Sequence, residues 1–180
     1  MELTEGIKGR RSIRKFTDEA ISHETLEKIV DTARFAPTWK NTQTPRYVVV
    51  EDKAVLGKIA EEAVLGFEHN KDIILGAAAL VVITSIAKRS GYERDGSFST
   101  SKGNEWQMFD AGAAAEAFCL SAYNEGVGSV ILGIFDDAKV AEIIGLGEDR
   151  VVSCLIPVGI PAETPNPVPR KDIADYITFI

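Results

Sequence analysis

The stretch RRSIRKF, residues 10–16, is the most distinctive part of the sequence. With Lys8 it places five positive charges within eight residues that contain no acidic side chain. The chain of 180 residues has a net charge of −7, so the remainder carries −12, that is, −7 less this +5. A compact basic cluster in an acidic protein favours a small anion such as phosphate over nucleic acid, which requires basic charge spread over a whole face. A solvated basic turn explains the cluster equally well.

The composition around this cluster is that of one globular domain, with 45% hydrophobic and 26% charged residues. The longest uncharged run, residues 73–87, would span about 22 Å as a helix, against about 30 Å of membrane hydrocarbon, so no membrane segment is predicted. The N-terminus lacks the basic and apolar regions of a secretory signal, and we expect a cytoplasmic protein. Cys119 and Cys154 stand in apolar contexts and are expected to be buried free thiols.

Hydrophobic periodicity predicts interleaved helices and strands. Apolar residues at helical spacing indicate helices at 22–35, 54–65 and around 138–144, the first of them capped by Ser22. An alanine-rich helix is predicted to begin at Asp110, as its N-cap, and to stop at Gly126. Short apolar and β-branched runs predict strands at 46–51, 79–86, 129–134 and 151–158. The pattern indicates one α/β or α+β domain without repeats and does not give the strand order.

Two segments stand outside this pattern. Residues 88–104 form a polar segment of 17 residues that is rich in Gly and Ser, a length typical of a lid or binding loop in which Tyr92 and Phe98 could cover a pocket. A mobile surface loop is the alternative. Four prolines within residues 161–169 favour an extended segment of roughly 28 Å. The apolar residues after it, at 173–180, must then be buried, either on a partner subunit, which we favour, or on the same domain.

Most familiar catalytic patterns are absent from the sequence. His23 and His69 are its only histidines and no Cys-x-x-Cys occurs, so no metal site is predicted. The glycines at 126–133 follow a helix and enter a strand, whereas a dinucleotide-binding loop requires a strand, the loop and then a helix. Neither a P-loop nor a Gly-x-Ser-x-Gly elbow is present. The chain therefore favours chemistry carried by a bound cofactor.

Four segments, taken in order, resemble the motifs of the FMN-dependent nitroreductase family: RRSIRKF at 10–16, APTWKNTQ at 36–43, GVGSVILG at 126–133, and PVG at 157–159 with PRK at 169–171. The resemblance covers nearly the whole chain. It implies an α+β fold, namely a three-layer α/β/α sandwich with a mainly antiparallel central sheet. It also implies a single FMN-binding domain at 1–160 and an extended arm at 161–180 that embraces the partner subunit.

The resemblance further implies a set of cofactor-binding residues: Arg10, Arg11, Ser12, Arg14, Pro37, Thr38, Asn41, Ile131, Leu132, Gly133, Arg170 and Lys171. The first three would bind the FMN phosphate and ribityl chain, and Arg14 would lie near flavin N1 and O2. The group at 37–41 would reach the flavin from the second subunit. The backbone of Leu132 and Gly133 would lie near N5, and the two C-terminal basic residues would close over the phosphate.

The substrate pocket implied by the resemblance contains Trp39, Tyr92 and Phe98. Trp39 and Lys40 stand where members of the family often have small residues. Trp39 could therefore narrow the pocket, stack on a substrate or pack at a dimer interface. Asn70 and Lys71 are further candidates for flavin contact, with an ambiguous register.

The function implied is FMN-dependent transfer of hydride from NAD(P)H, through flavin N5, to a nitroaromatic, quinone or similar small-molecule acceptor in a ping-pong cycle. No catalytic side chain is required. The protein would be a homodimer with FMN at the subunit interface. The alternative is an FMN-binding carrier, sensor or electron-transfer protein with little NAD(P)H turnover. Specialised flavin chemistry, such as reductive dehalogenation or flavin breakdown, has no diagnostic residues in the sequence.

Overall fold

The computed structural model describes residues 2–180 and contains helices on both faces of one sheet. The helices are α1 (Leu3–Gly9), α2 (His23–Ala33), α3 (Lys53–Glu62), α4 (Glu68–Gly76), α5 (Glu105–Asn124) and α6 (Asp137–Ile143). The strands are β1 (Pro45–Val50), β2 (Ala79–Ile86), β3 (Gly128–Ser129) and β4 (Arg150–Gly159). The sheet has the order β1-β2-β4-β3, and every neighbouring pair is antiparallel.

The two faces of the sheet bury two separate cores. Along β2, Val81 and Ile83 pack into a core with α2 and α5, and Leu80 and Val82 pack into a second core with α3, α4 and α6. Strands buried on both faces are largely apolar, which is why β2 begins with the continuous apolar run Ala79–Ile83. The result is a three-layer α/β/α sandwich with an antiparallel sheet, and the predicted α+β fold class is confirmed.

Several predicted elements are confirmed with small changes of boundary. The strand predicted at 79–86 has those bounds, and the strands predicted at 46–51 and 151–158 differ by one residue at their ends. Helix α2 begins after Ser22, whose Oγ accepts a hydrogen bond from the Thr25 N–H at 3.1 Å. The two cysteines are free and buried, as expected.

Two local predictions are wrong. The strand predicted at 129–134 leaves the sheet after Ser129, and only an isolated bridge between Leu132 and Leu155 continues the pairing. The helix predicted to begin at Asp110 begins at Glu105. Asp110 is therefore not a cap but a buried side chain within α5. Helices α1 and α4 were not predicted from the sequence.

A pair of glycines lets the N-terminal basic segment cross the edge of the sheet. Gly128 and Gly159 face each other across β3 and β4. A Cβ at Gly159 would lie 2.7 Å from Phe16, and one at Gly128 would lie 2.9 Å from Ile13. Side chains at these two positions would therefore push the segment outward. The Ile13 N–H donates to the carbonyl of Ser129 at 3.0 Å, which holds the segment on the sheet.

The C-terminal arm is exposed beyond its first few residues. The Ala162 N–H donates to the carbonyl of Lys15, and the Arg14 N–H donates to Glu163 at 2.8 Å. Farther along, Tyr176 is 63% and Phe179 87% exposed. Among residues 2–180, no helix is long and apolar enough to cross a membrane.

Candidate functional site

A groove of about 460 Å³ lies where the basic segment meets the chain that leaves β3. Arg14 and Asn70 line it together with residues 130–134. The Leu132 N–H donates to the Leu155 carbonyl at 2.8 Å and its side chain is buried, so the backbone here is held against the sheet. A Cβ at Gly133 would meet no atom within 4 Å, so this backbone faces open space.

Asn70 closes one wall of the same groove. It lies in α4, its side chain is buried, and its Nδ2 donates to the Ile134 carbonyl at 3.0 Å. Lys71 does not line the groove, since its Nζ bonds to Glu61 at 2.8 Å and lies 3.7 Å from Glu68. The hydrogen bond to Glu61 raises the pKa of Lys71. Of the two residues with ambiguous register, the structure thus places Asn70 in the groove and directs Lys71 away from it.

The two arginines that open the basic segment have different surroundings. The Nε of Arg10 is buried and lacks a hydrogen-bond partner among residues 2–180, and it lies 3.7 Å from Glu116. Arg11 folds back on the end of α1, where its Nη1 donates to the carbonyls of Lys8, Gly9 and Arg10. Arg10 therefore has an unused buried donor, whereas one nitrogen of Arg11 already serves as a C-terminal cap.

Residues 38–43, here called the 38–43 turn, form a tight and conformationally unusual connection before β1. Lys40, Asn41 and Gln43 have positive φ angles of 45°, 53° and 49°, a region that non-glycine residues rarely adopt. Inside the turn, the Gln43 N–H donates to Thr38 Oγ1 at 2.9 Å. Asn41, the predicted cofactor contact, is exposed on this turn.

An aromatic cluster covers one side of the turn. The rings of Trp39 and Trp106 lie 4.6 Å apart, and Phe109 packs edge-on against Trp106 at 5.5 Å. Tyr92 and Phe98 form a separate pair at 4.9 Å within residues 88–104, the 88–104 loop. The structure therefore places Trp39 against Trp106, an aromatic residue that sequence reasoning did not select.

The 88–104 loop is tied to this cluster by two polar contacts. Lys40 Nζ lies 2.8 Å from Glu93 Oε1, and Trp106 Nε1 donates to Thr100 Oγ1 at 2.9 Å. The hydrogen bond from Lys40, followed by that from Ser99, holds the pKa of Glu93 below its usual value. The loop is thus an ordered excursion attached to the 38–43 turn.

The predicted cofactor-binding residues do not form one cluster within a single chain. Arg14, Ile131 and Gly133 share the groove described above. Thr38 instead borders a different and larger groove of about 1080 Å³ between α2 and β1. Pro37 is exposed near it, and the C-terminal Arg170 and Lys171 are exposed on the arm. Ser12 pairs with Ser129 at the sheet edge, next to the first groove.

A model of the nitroreductase family matches residues 7–160. The chain belongs to the nitroreductase family. The resemblance inferred from its sequence motifs is thereby confirmed.

Individual relatives match nearly the whole chain. A protein of Archaeoglobus fulgidus, whose name proposes an NADH dehydrogenase or NAD(P)H nitroreductase, is 32% identical over 86% of this chain and 82% of its own. A nitroreductase family protein of Clostridium novyi NT has a crystal structure with a TM-score of 0.78, 31% identity and coverage of 98% of this chain and 92% of its own. A nitroreductase-like protein of Desulfovibrio desulfuricans, solved in complex with FMN, has the same fold, with a TM-score of 0.80, 24% identity, and coverage of 100% and 97%.

Proposed function

We propose that this nitroreductase-family protein is an FMN-dependent oxidoreductase that uses NAD(P)H to reduce nitroaromatic, quinone or similar small-molecule acceptors. The observation that carries the proposal is the groove lined by Arg14 and residues 131–133, with open space beside Gly133. The redox chemistry is assigned to FMN, which the Desulfovibrio desulfuricans protein of the same fold binds.

The residues of the groove and its edge fit FMN in charge and in shape. Arg10 has a buried Nε–H without a partner, a donor suited to a phosphate oxygen. Ser12, two residues on, lies at the adjoining sheet edge. The open side of Gly133 lets a planar group lie close to the backbone. Asn70 borders the same space and is assigned as a further contact.

The side chains would bind and orient the cofactor, which supplies the redox step. When bound, FMN provides hydride chemistry at N5, accepting from NAD(P)H and delivering to an acceptor in turn. The guanidinium of Arg14 would favour negative charge at the edge of the ring system that it faces. The backbone of Leu132 and Gly133 is assigned to the N5 side. No side-chain acid or base is assigned a catalytic role.

The complete site is proposed to form between two copies of the chain. Thr38 and the 38–43 turn border a different groove from that of Arg14, and the arm that carries Arg170 is exposed along most of its length. A partner subunit could bring its own turn and arm to this groove. We assign residues 1–160 to the FMN-binding domain and residues 161–180 to an arm that embraces the partner.

The arm can be tested by truncation after residue 163, which keeps the contact between Arg14 and Glu163. We expect the truncated chain to lose most of its dimer in light scattering coupled to gel filtration. A truncated chain that stays dimeric at the wild-type concentration would contradict the assigned role of the arm.

The function is tested by absorbance spectra from about 300 to 550 nm, recorded anaerobically before and after addition of NADH and then NADPH. FMN is supplied if the purified protein is colourless. We expect flavin bands that bleach with at least one donor and return when a quinone or nitroaromatic is added. Bands that bleach only with dithionite or light would favour the carrier or sensor, and failure to bind FMN would refute the proposal.

A further inference from the structure

Asp110 is the only charged side chain that is buried among residues 2–180, with 1% of its surface exposed. It lies in the interior of α5 between small and apolar residues. No lysine, arginine or histidine of the described chain forms an ion pair with it. A buried carboxylate without a cation is costly and needs strong hydrogen bonds to be retained.

The contact that Asp110 makes is with the 38–43 turn. Its Oδ1 and Oδ2 accept from the backbone N–H of Trp39 at 2.9 and 3.1 Å. The sequence separation of this contact is 71 residues, so it joins α5 to a distant connection. Most of the remaining turn hydrogen bonds, among them that from Thr42 Oγ1 to the Trp39 carbonyl, lie within the turn itself. Two others leave it, since Lys40 donates to Glu93 and Arg46 donates to the Gln43 carbonyl.

The turn needs such an anchor because its backbone is strained. Three of its six residues have positive φ angles without being glycine, and such conformations persist only where the surroundings hold them. Other links from the turn to the rest of the chain are the exposed ion pair between Lys40 and Glu93, the hydrogen bond that Arg46 donates to the Gln43 carbonyl, and the packing of the Trp39 ring on Trp106. Exposed ion pairs contribute little to stability, so the buried contact with Asp110 is a stronger link than the one between Lys40 and Glu93.

We infer that Asp110 is a positioning residue that sets the 38–43 turn, through the Trp39 N–H, in the conformation that presents Thr38 and Asn41 to the cofactor. The inference rests on the proposed function for the part that concerns FMN. The placement of the turn itself does not depend on it. Asp110 touches neither cofactor nor substrate in this assignment and acts through the backbone of Trp39.

Two readouts separate the inference from the proposed function. Trp39 and Trp106 are the only tryptophans of the chain, and their rings pack together. The circular-dichroism exciton signal of this indole pair in the flavin-free protein therefore reports the position of the turn directly. The dissociation constant for FMN, from titration of the flavin-free protein, reports the consequence for the cofactor.

Three variants of Asp110 and one control complete the experiment. Asp110→Ala removes the acceptor, and Asp110→Leu removes it while filling the buried space, which keeps the test usable if the alanine variant does not fold. Asp110→Asn keeps one acceptor oxygen for the Trp39 N–H. Ser121→Ala, a buried substitution on the same helix, is the control.

We expect the alanine and leucine variants to lose the exciton signal and to bind FMN about tenfold more weakly, a change that one lost charge-assisted hydrogen bond can produce. Asp110→Asn and Ser121→Ala should keep the signal and bind FMN within about threefold of wild type. The inference is overturned if Asp110→Leu keeps both properties, or if Asp110→Asn loses both. A wild-type protein that binds no FMN would refute the proposed function, while the exciton signal would still test the role of Asp110.

Discussion

Substitution of Gly159 by alanine should destabilise the protein by displacing the basic segment from the sheet edge. The added Cβ would lie 2.7 Å from the Cβ, Cγ and Cδ1 atoms of Phe16, whereas carbon atoms in contact are normally about 3.5–4.0 Å apart. Phe16 belongs to a segment that is bonded to the sheet edge and bridged to Pro161, so relief requires that segment to move. Overpacking of this kind costs about 1–3 kcal/mol.

The substitution should lower both the stability of the protein and its affinity for FMN. For a chain of this length, about 1–3 kcal/mol corresponds to a fall in melting temperature of roughly 2–12 °C. Because the displaced segment carries Ser12 and Arg14, FMN should also bind more weakly. Chemical denaturation and FMN titration measure the two effects, at a fixed protein concentration because the stability of the proposed dimer would depend on it.

Gly57 provides a matched control for this substitution. It lies inside α3, and a Cβ there would meet no atom within 4 Å. Gly57→Ala should therefore stabilise the helix by about 0.5–1 kcal/mol and leave FMN binding unchanged. If the Gly159→Ala variant unfolds at the same denaturant concentration as wild type, or gains stability as Gly57→Ala does, the close packing of the basic segment on the sheet is not what requires glycine.

Three further outcomes are expected. Arg10→Ala should raise the dissociation constant for FMN about 10- to 150-fold with little loss of fold, and stoichiometric FMN in the purified variant would refute its role at the phosphate. Lys40→Ala should speed proteolysis of the 88–104 loop, because it removes the ion pair with Glu93. In the wild-type protein the ion pair should persist until the pH falls through the lowered pKa of Glu93, so proteolysis of the loop should become faster only at acidic pH. Burial raises the pKa of Cys119, and that of Cys154 to about 12, so neither should react with a thiol reagent at pH 8 until the protein unfolds.

The elements best predicted from the sequence are those whose local signals agree with their burial. Strand β2 is a short apolar run covered on both faces, and α2 combines a Ser22 cap with an apolar stripe. Helices α1 and α4 lack such signals, since Glu2 and Phe67 precede them without a side-chain capping bond. Both are also under ten residues long, which leaves little periodicity to detect.

The segment after β3 has the sequence pattern of a strand but does not continue the sheet. Val130 and Leu132 are buried while Ile131 is 45% exposed, so the alternation typical of a strand is present. The backbone nevertheless leaves the sheet, because alternation describes which side chains are buried and does not specify a hydrogen-bonding partner. The departure is what opens the backbone near Gly133 to the groove, and a regular strand there would have paired those groups.

Local sequence patterns do not predict the role of Asp110 either. An acidic residue before an alanine-rich run is typical of a helix N-cap, but α5 starts five residues earlier and Asp110 faces the 38–43 turn instead. Motif residues identify the cofactor because they are matched to its chemistry. Other residues hold those motifs in place through contacts that only the folded chain creates. Gly159 leaves room for Phe16, and Asp110 accepts a hydrogen bond from the Trp39 N–H. Cofactor affinity should therefore be as sensitive to these two supports as to many of the residues assigned to touch the flavin.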